Sequence, residues 1–219
     1  MHSTVKNLLY IKNNIKVYLE KLNINNNPKI LAVSKTFEIN KILPLIEHGH
    51  LDYGENKVQE ALEKWSDIKL IKKDLKLHLI GKLQTNKVKY AVKIFDYIHS
   101  VDSEKLAKKI SDEEIKINKK IKIFIQVNIG QEDQKSGTNV NELSSLISYC
   151  SKINLDVVGL MCIPPIDEDS VIYFEKMKKL NEKNNFHELS MGMSSDYLKA
   201  VTNNASYLRI GSSIFGQRY

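Results

Sequence analysis

Eight short apolar runs, at 29–35, 51–56, 77–81, 94–101, 122–128, 155–161, 187–191 and 207–210, punctuate the 219-residue chain. Helical patterns follow them at 39–48, 58–65, 86–92, 104–114 with Ser103 as N-cap, 140–151, 170–183 and 195–202, with one short turn after the eighth. Several runs are nearly continuous in apolar residues, as in Ile30-Leu31-Ala32-Val33. Continuity of that kind suits strands buried on both faces, as in a parallel sheet whose crossovers are helices. Strand and helix alternating eight times is the count that closes a (β/α)8 barrel, and about 200 residues is the lower end of its size range. An open doubly wound sheet shares the alternation, but the first run is not followed by a GxGxxG turn. We therefore expect an α/β fold, a single (β/α)8 TIM barrel domain over residues 1–219. An extra N-terminal helix precedes it, with Leu8, Ile11, Ile15, Leu19 and Leu22 on one face. No linker divides the chain; Pro164-Pro165 falls inside a strand-to-helix loop.

The formal net charge of +7 invites a nucleic-acid reading. Against it, the lysines are scattered in pairs, such as Lys72-Lys73 and Lys119-Lys120, with no block and no interleaved aromatics. Solvated faces explain them, and no nucleic-acid partner is expected. Two cysteines, Cys150 and Cys162, suit neither a disulfide framework nor a zinc site. No run approaches the roughly 20 apolar residues of a membrane helix, and the N-terminus lacks the apolar stretch of a secretory signal. A cytoplasmic protein is the expectation.

In either α/β fold the chemistry lies at the carboxyl ends of the strands. The residues there are Lys35, Glu55-Asn56, His78 to Gly81, Asp102, Asn128, Met161, Ser190 to Ser195 and Arg209 to Ser213. Lys35 stands out as the lysine that ends an apolar strand. Desolvation there disfavours the ammonium and frees an amine able to form a Schiff base. A strand-end lysine can equally lay its stem on apolar surface and keep its head in water. Phosphate sites in these barrels are often built by the loops after strands seven and eight. Here those loops are Met191-Gly-Met-Ser-Ser195 and Gly211-Ser-Ser213, rich in hydroxyls and backbone donors.

Arg209 and Arg218 are the only two arginines; every other basic residue is lysine. A guanidinium is a rigid, permanently charged fork, and Lys does not replace it before a planar acceptor. An arginine here could also cap a strand or pair with a buried carboxylate. A ligand with a phosphate at one end and an aldehyde at the other would bridge the two loops to Lys35. Pyridoxal 5′-phosphate (PLP) has that form, and its pyridine nitrogen takes an Asp or Arg partner. Arg209 leads directly into the second loop. A Schiff-base aldolase acting on sugar phosphates would use the same lysine and loops but leaves Arg209 unexplained.

Several segments now match a known family in order: Ala32-Val-Ser-Lys-Thr36, Tyr53-Gly-Glu-Asn56, His78-Leu-Ile-Gly81, Lys135-Ser-Gly137, Gly159-Leu-Met161, Ser190-Met-Gly-Met-Ser194 and Arg209-Ile-Gly211. The chain resembles the PLP homeostasis proteins, which are similar to the N-terminal barrel domain of alanine racemases. The resemblance implies that Lys35 carries PLP as a Schiff base and that Ser194, Gly211 and Ser212 hold its phosphate. It also implies that Arg209 faces the pyridine nitrogen and that Asn56 lies beside the ring. Phe37 stands where many relatives carry lysine, so no accessory base is expected there. Arg218 receives no role.

An arginine stays protonated and leaves the ring nitrogen a neutral acceptor, which makes the ring a poorer electron sink. Racemisation also needs a second acid or base on the face opposite the lysine. In alanine racemases a tyrosine from an additional C-terminal domain supplies it. We do not expect that domain here, and neither Tyr53 nor Tyr219 has a claim to the role. The resemblance thus implies a monomer that binds PLP and buffers it or delivers it to PLP-dependent apo-enzymes, without robust turnover. A weak or narrow amino-acid racemase using the same site is the alternative.

Overall fold

In the computed structural model, which describes residues 1–132 and 134–217, the strands run in one direction and each pairs with its successor in the chain. They are β1 (Lys29–Val33), β2 (Asp52–Glu55), β3 (Lys76–Leu79), β4 (Tyr97–Val101), β5 (Lys122–Gln126), β6 (Asp156–Met161), β7 (Glu188–Met193) and β8 (Tyr207–Ile210). Then β8 returns to β1, with Leu31 opposite Arg209 and Ala32 opposite Ile210, and the sheet closes as the expected (β/α)8 barrel.

The helices around it are α1 (Ser3–Lys21), α2 (Ile39–Glu47), α3 (Val58–Ile71), α4 (Val88–Ile94), α5 (Glu104–Ile117), α6 (Leu143–Lys152), α7 (Ser170–Lys183), α8 (Tyr197–Val201) and α9 (Ser212–Phe215). A single 3-10 turn, Thr85–Lys87, leads into α4. Local sequence sets several ends. The Ser103 hydroxyl accepts from the Leu106 N–H at 3.4 Å at the start of α5, and Asn118, at φ +48°, ends it. The additional helix α1 buries Val5, Leu8, Ile11, Ile15 and Leu19, each worth about 1.5–3 kcal/mol when fully covered. Leu22 departs from the expected face: it is the C-cap and 43% exposed. From α1, Asn7 Nδ2 donates to the Ile214 carbonyl at 2.9 Å, tying the helix to α9.

Several boundaries differ from the sequence reading, three of them near the site or its supports. Residues 94–96 are not strand: α4 runs to Ile94, and the Asp96 carboxylate accepts from the Leu77 N–H at 2.8 Å. A short apolar run cannot by itself separate the end of a helix from the start of a strand. Past Trp65, α3 continues to Ile71, although Leu70 and Ile71 are exposed and the amphipathic pattern has lapsed. At the carboxyl end, β1 stops at Val33, so Lys35 lies in a turn and not on the strand itself.

Strand side chains alternate between two environments. Outward ones such as Ile30, Ala32, Leu208 and Ile210 join the helices in the main core. Inward, Leu31, Tyr97, Phe124, Met161 and Tyr207 make a second, smaller core inside the barrel. The bore also holds buried polar residues, His78, His99, Ser190 and Arg209 among them. Cys150 and Cys162 are both buried and unbonded. Among the described residues no helix is long and apolar enough to cross a membrane. Arg218 and Tyr219 lie outside the described residues.

Candidate cofactor site

Beyond β1 the chain makes a tight turn in which the Phe37 N–H donates to the Ser34 carbonyl at 3.2 Å. Lys35 and Thr36 are its central residues. Thr36 has φ +68°, a left-handed conformation that is costly for a β-branched side chain. Surrounding bonds hold it there: its N–H donates to Glu60 Oε1 at 2.5 Å and its hydroxyl to the Lys35 carbonyl at 2.6 Å. Lys64, from α3, braces the same turn by donating to the Ser34 carbonyl at 2.9 Å, to Glu55 Oε1 at 3.0 Å and to Glu60 Oε1 at 2.9 Å. Glu55 is fully buried and also accepts from Ser34 Oγ at 2.7 Å and Trp65 Nε1 at 2.9 Å. Burial pushes its carboxyl above the usual range, while Lys64, Trp65 and Ser34 pull it back. On the other side, Phe37 packs on Phe215 of α9 with ring centroids 5.0 Å apart, coupling the Lys35 turn to the second of the two expected phosphate loops.

That second loop follows β8. Gly211 is buried, Ser212 and Ser213 are exposed, and α9 starts at once, presenting its first N–H groups at the rim. The first loop starts later than expected, because β7 runs on through Met191 to Met193. Gly192 makes this possible with φ +87° and a bare α-carbon: a Cβ there would fall 2.5 Å from the Ala200 side chain. At the same place the register against β8 shifts between Ser190 and Met193. Ser194 then meets the second loop, its Oγ accepting from the Ser213 N–H at 3.4 Å. Asp196 pins the loop by accepting from the Met193 N–H at 2.6 Å.

Asn56 follows β2 and is half-buried. The loop after β3 lies directly on its backbone; a Cβ on Gly81 would come within 2.3 Å of the Asn56 carbonyl oxygen. Arg209 is 5% exposed and points into the bore. One of its terminal nitrogens donates to the Ser190 carbonyl at 2.6 Å and to Ser190 Oγ at 2.7 Å, and the other to the Cys162 carbonyl at 2.7 Å. Its hydrogen bonds among the described residues are to carbonyls and a hydroxyl, and the Asp196 carboxylate acts on it through charge and not through a hydrogen bond.

Lys35, Asn56, Ser194, Arg209, Gly211 and Ser212 thus come from β1, β2, β7 and β8 and the turns at their carboxyl ends. Other residues singled out in the sequence are placed elsewhere. His78 lies within β3, opposite Gly54 and Tyr97, and not in the loop beyond the strand. Asn128 clasps its own loop, donating to the Glu132 carbonyl at 2.9 Å and accepting from the Glu132 N–H at 3.2 Å.

The alanine racemase N-terminal domain model matches residues 7–219. A pyridoxal phosphate homeostasis protein of Aquifex aeolicus is 39% identical over 203 residues, 88% of each chain. Its counterpart in Pasteurella multocida is 32% identical over 97% of each.

The chain belongs to the pyridoxal phosphate homeostasis protein family.

Among solved structures, PipY of Synechococcus elongatus with PLP bound matches with a TM-score of 0.81 at 31% identity, covering 92% of this chain and all of that one. The alanine racemase of Clostridium difficile shares the fold alone, at 18% identity and a TM-score of 0.73, and the chain spans 57% of its length. For this member of the PLP homeostasis protein family, the sequence reading missed the residues that brace the rim. Glu60 and Lys64 stood four apart on one helix, the spacing of a helical ion pair. Asp52, His78, His99 and Ser190 also went unread as a group. Their signal was a polar residue flanked by apolar ones in a buried strand, as in Leu77-His78-Leu79 and Leu189-Ser190-Met191.

Proposed function

We propose that this chain binds PLP covalently through the amine of Lys35 and serves its homeostasis, buffering the cofactor or delivering it to PLP-dependent apo-enzymes. The observation that carries the reading is the Arg209 guanidinium, buried in the bore with neutral acceptors in place of a carboxylate. A buried cation kept only for structure would be expected to pair with an anion. Three of its five donors are committed, and an unprotonated ring nitrogen needs one. The rest of the site fits the same ligand. Ser194, Gly211 and Ser212 offer hydroxyls and backbone N–H groups to a phosphate, and the braced turn offers Lys35 to an aldehyde. Asn56 flanks the space between them. When bound, the cofactor supplies the aldehyde and an electron-withdrawing ring. Phe37 is taken up by its contact with Phe215, so it contributes packing and no base. The names of the curated relatives support the same reading over nearly their whole length.

We further propose a monomeric, cytoplasmic protein. The deciding experiment is spectroscopic. Purified protein given PLP turns yellow, borohydride fixes one cofactor on Lys35, and Lys35→Ala stays colourless. A wild type that takes up no PLP would sink the proposal. Loaded protein mixed with an apo-aminotransferase restores its activity, whereas prolonged incubation with L-alanine yields no D-alanine. Arg209→Glu, which reverses the charge at the ring nitrogen, shifts the visible absorption. Light scattering reads the expected monomer.

A further inference from the structure

Arg209 does not end at Ser190. The Ser190 hydroxyl lies 2.8 Å from His99 Nδ1, His99 Nε2 lies 3.0 Å from His78 Nδ1, and His78 Nε2 lies 3.2 Å from Asp52 Oδ1. The series runs from β8 through β7, crosses the bore to β4, and leaves through β3 to β2. Its near end is the guanidinium placed for the ring nitrogen. Its far end is a carboxylate whose side chain is 20% exposed, close to the amino ends of the strands. His78, His99 and Ser190 between them are fully buried.

The chemistry of the two ends settles where each proton sits. Arg209 can only donate, so Ser190 Oγ accepts from it, which leaves the hydroxyl proton available to His99 Nδ1. His99 must then carry its proton on Nε2, which it donates to His78 Nδ1. His78 likewise carries its proton on Nε2 and donates it to Asp52. Starting from the carboxylate, which as an anion only accepts, gives the same two tautomers. At each link from Arg209 to Asp52 a donor meets an acceptor, with a cation at one end, an anion at the other and two neutral imidazoles between.

The rings are also held in plane. His78 stacks on Tyr97 with centroids 4.2 Å apart at 14°, and His99 on Phe124 at 4.2 Å and 21°. Burial lowers the pKa of both imidazoles, for His78 against the pull of the Asp52 carboxylate and for His99 with the help of the Arg209 charge, which agrees with neutral rings. A buried polar network with all its members satisfied is stiff, and its bonds polarise one another.

We propose that Ser190, His99, His78 and Asp52 form a one-directional hydrogen-bond relay through the barrel that fixes the orientation of Arg209. His99 and Ser190 are then positioning residues for the partner of the ring nitrogen. The inference rests on the reading of Arg209 as that partner, and two measurements keep the failures apart.

The first needs no cofactor. Long-range 1H–15N spectra of the unliganded protein at neutral pH show both His78 and His99 as neutral Nε2–H tautomers. An Nδ1–H tautomer or an imidazolium at either position overturns the relay. The second compares His99→Leu, which removes both ring nitrogens, with His99→Gln, which restores one acceptor and one donor. In PLP-loaded protein, His99→Leu shifts the visible maximum and weakens PLP binding about tenfold, the scale of one hydrogen bond to a charged group. His99→Gln recovers both. Ser190→Ala, a smaller change, gives the same shift and covers the case in which His99→Leu does not fold. A purely structural role for His99 would lower the melting temperature and leave the spectrum unmoved, and that outcome overturns the proposal. A wild type that binds no PLP would refute the cofactor reading while leaving the tautomer result intact.

Discussion

Lys64 Nζ reaches the carbonyl of Ser34, the residue before Lys35, at 2.9 Å while sharing its charge between Glu55 and Glu60. One ammonium from α3 therefore joins the end of β2, its own helix and the turn that displays Lys35. Thr36 stays at a positive φ because this brace and the Glu60 bond leave it no relaxed alternative. Lys64→Met keeps the stem and removes the charge. Glu55 is then left buried without its cation, and losing one partner of a buried pair costs about 3 kcal/mol. Urea unfolding reads that loss, and borohydride-trapped PLP on Lys35 accumulates more slowly. An unchanged urea midpoint would show that Lys64 does not hold the turn.

Gly81 allows the loop after β3 to lie on the backbone of Asn56. In Gly81→Ala the new Cβ would stand 2.3 Å from the Asn56 carbonyl oxygen and 2.8 Å from its Cα, and these are backbone atoms that cannot swing aside. Relief requires a shift of Asn56, so we expect a loss of about 1–3 kcal/mol, as for overpacking. If Asn56 flanks the cofactor as proposed, PLP affinity falls with it. Equilibrium unfolding and PLP titration of the same variant test the two halves together.

How far the sequence revealed these features depended on whether each was local. The bounds of α7 and β8 were read correctly, since capping and apolar runs act within a few residues. Lys35 was legible because a continuous apolar run stops beside it, and the two loops because β7 and β8 precede them. Eight repeats implied the closed barrel. The grip of Lys64 on Ser34 joins residues thirty apart and depends on how α3 packs over β2. The polar line from Asp52 to Arg209 draws on five strands, and its existence depends on which side chains the closed sheet turns inward. Single-strand patterns show that His78 and His99 are buried. Only the closed sheet shows that they face each other.

The loops after β7 and β8 meet through Ser194 Oγ and the Ser213 N–H at 3.4 Å. If they hold a phosphate, Ser194→Ala and Ser212→Ala each remove a hydroxyl from it and weaken PLP binding about tenfold, the scale of a hydrogen bond to a charged acceptor. Pyridoxal, which lacks the phosphate, should bind both variants as it binds the wild type. Titrating the two ligands side by side makes the comparison. Equal losses for PLP and pyridoxal would move the phosphate away from these loops.

Acid should destabilise the fold through His50. The ring is 8% exposed, its Nε2 bonds the Asp52 carbonyl oxygen at 3.0 Å, and it packs edge-on against Tyr53. Burial, and then the charge of Lys12, lowers its pKa from 6.5 to about 4. Because the folded value lies below the unfolded one, the unfolded chain binds the extra proton in that interval. The contribution is therefore fully present above pH 6.5 and is lost as pH falls toward 4. Its full size is about 3 kcal/mol. His78 and His99, with lowered pKa values of their own, add in the same direction. Urea midpoints measured from pH 7 down to pH 4.5 should fall more steeply for the wild type than for His50→Phe, which cannot take up the proton. Parallel slopes would assign the acid sensitivity to other groups.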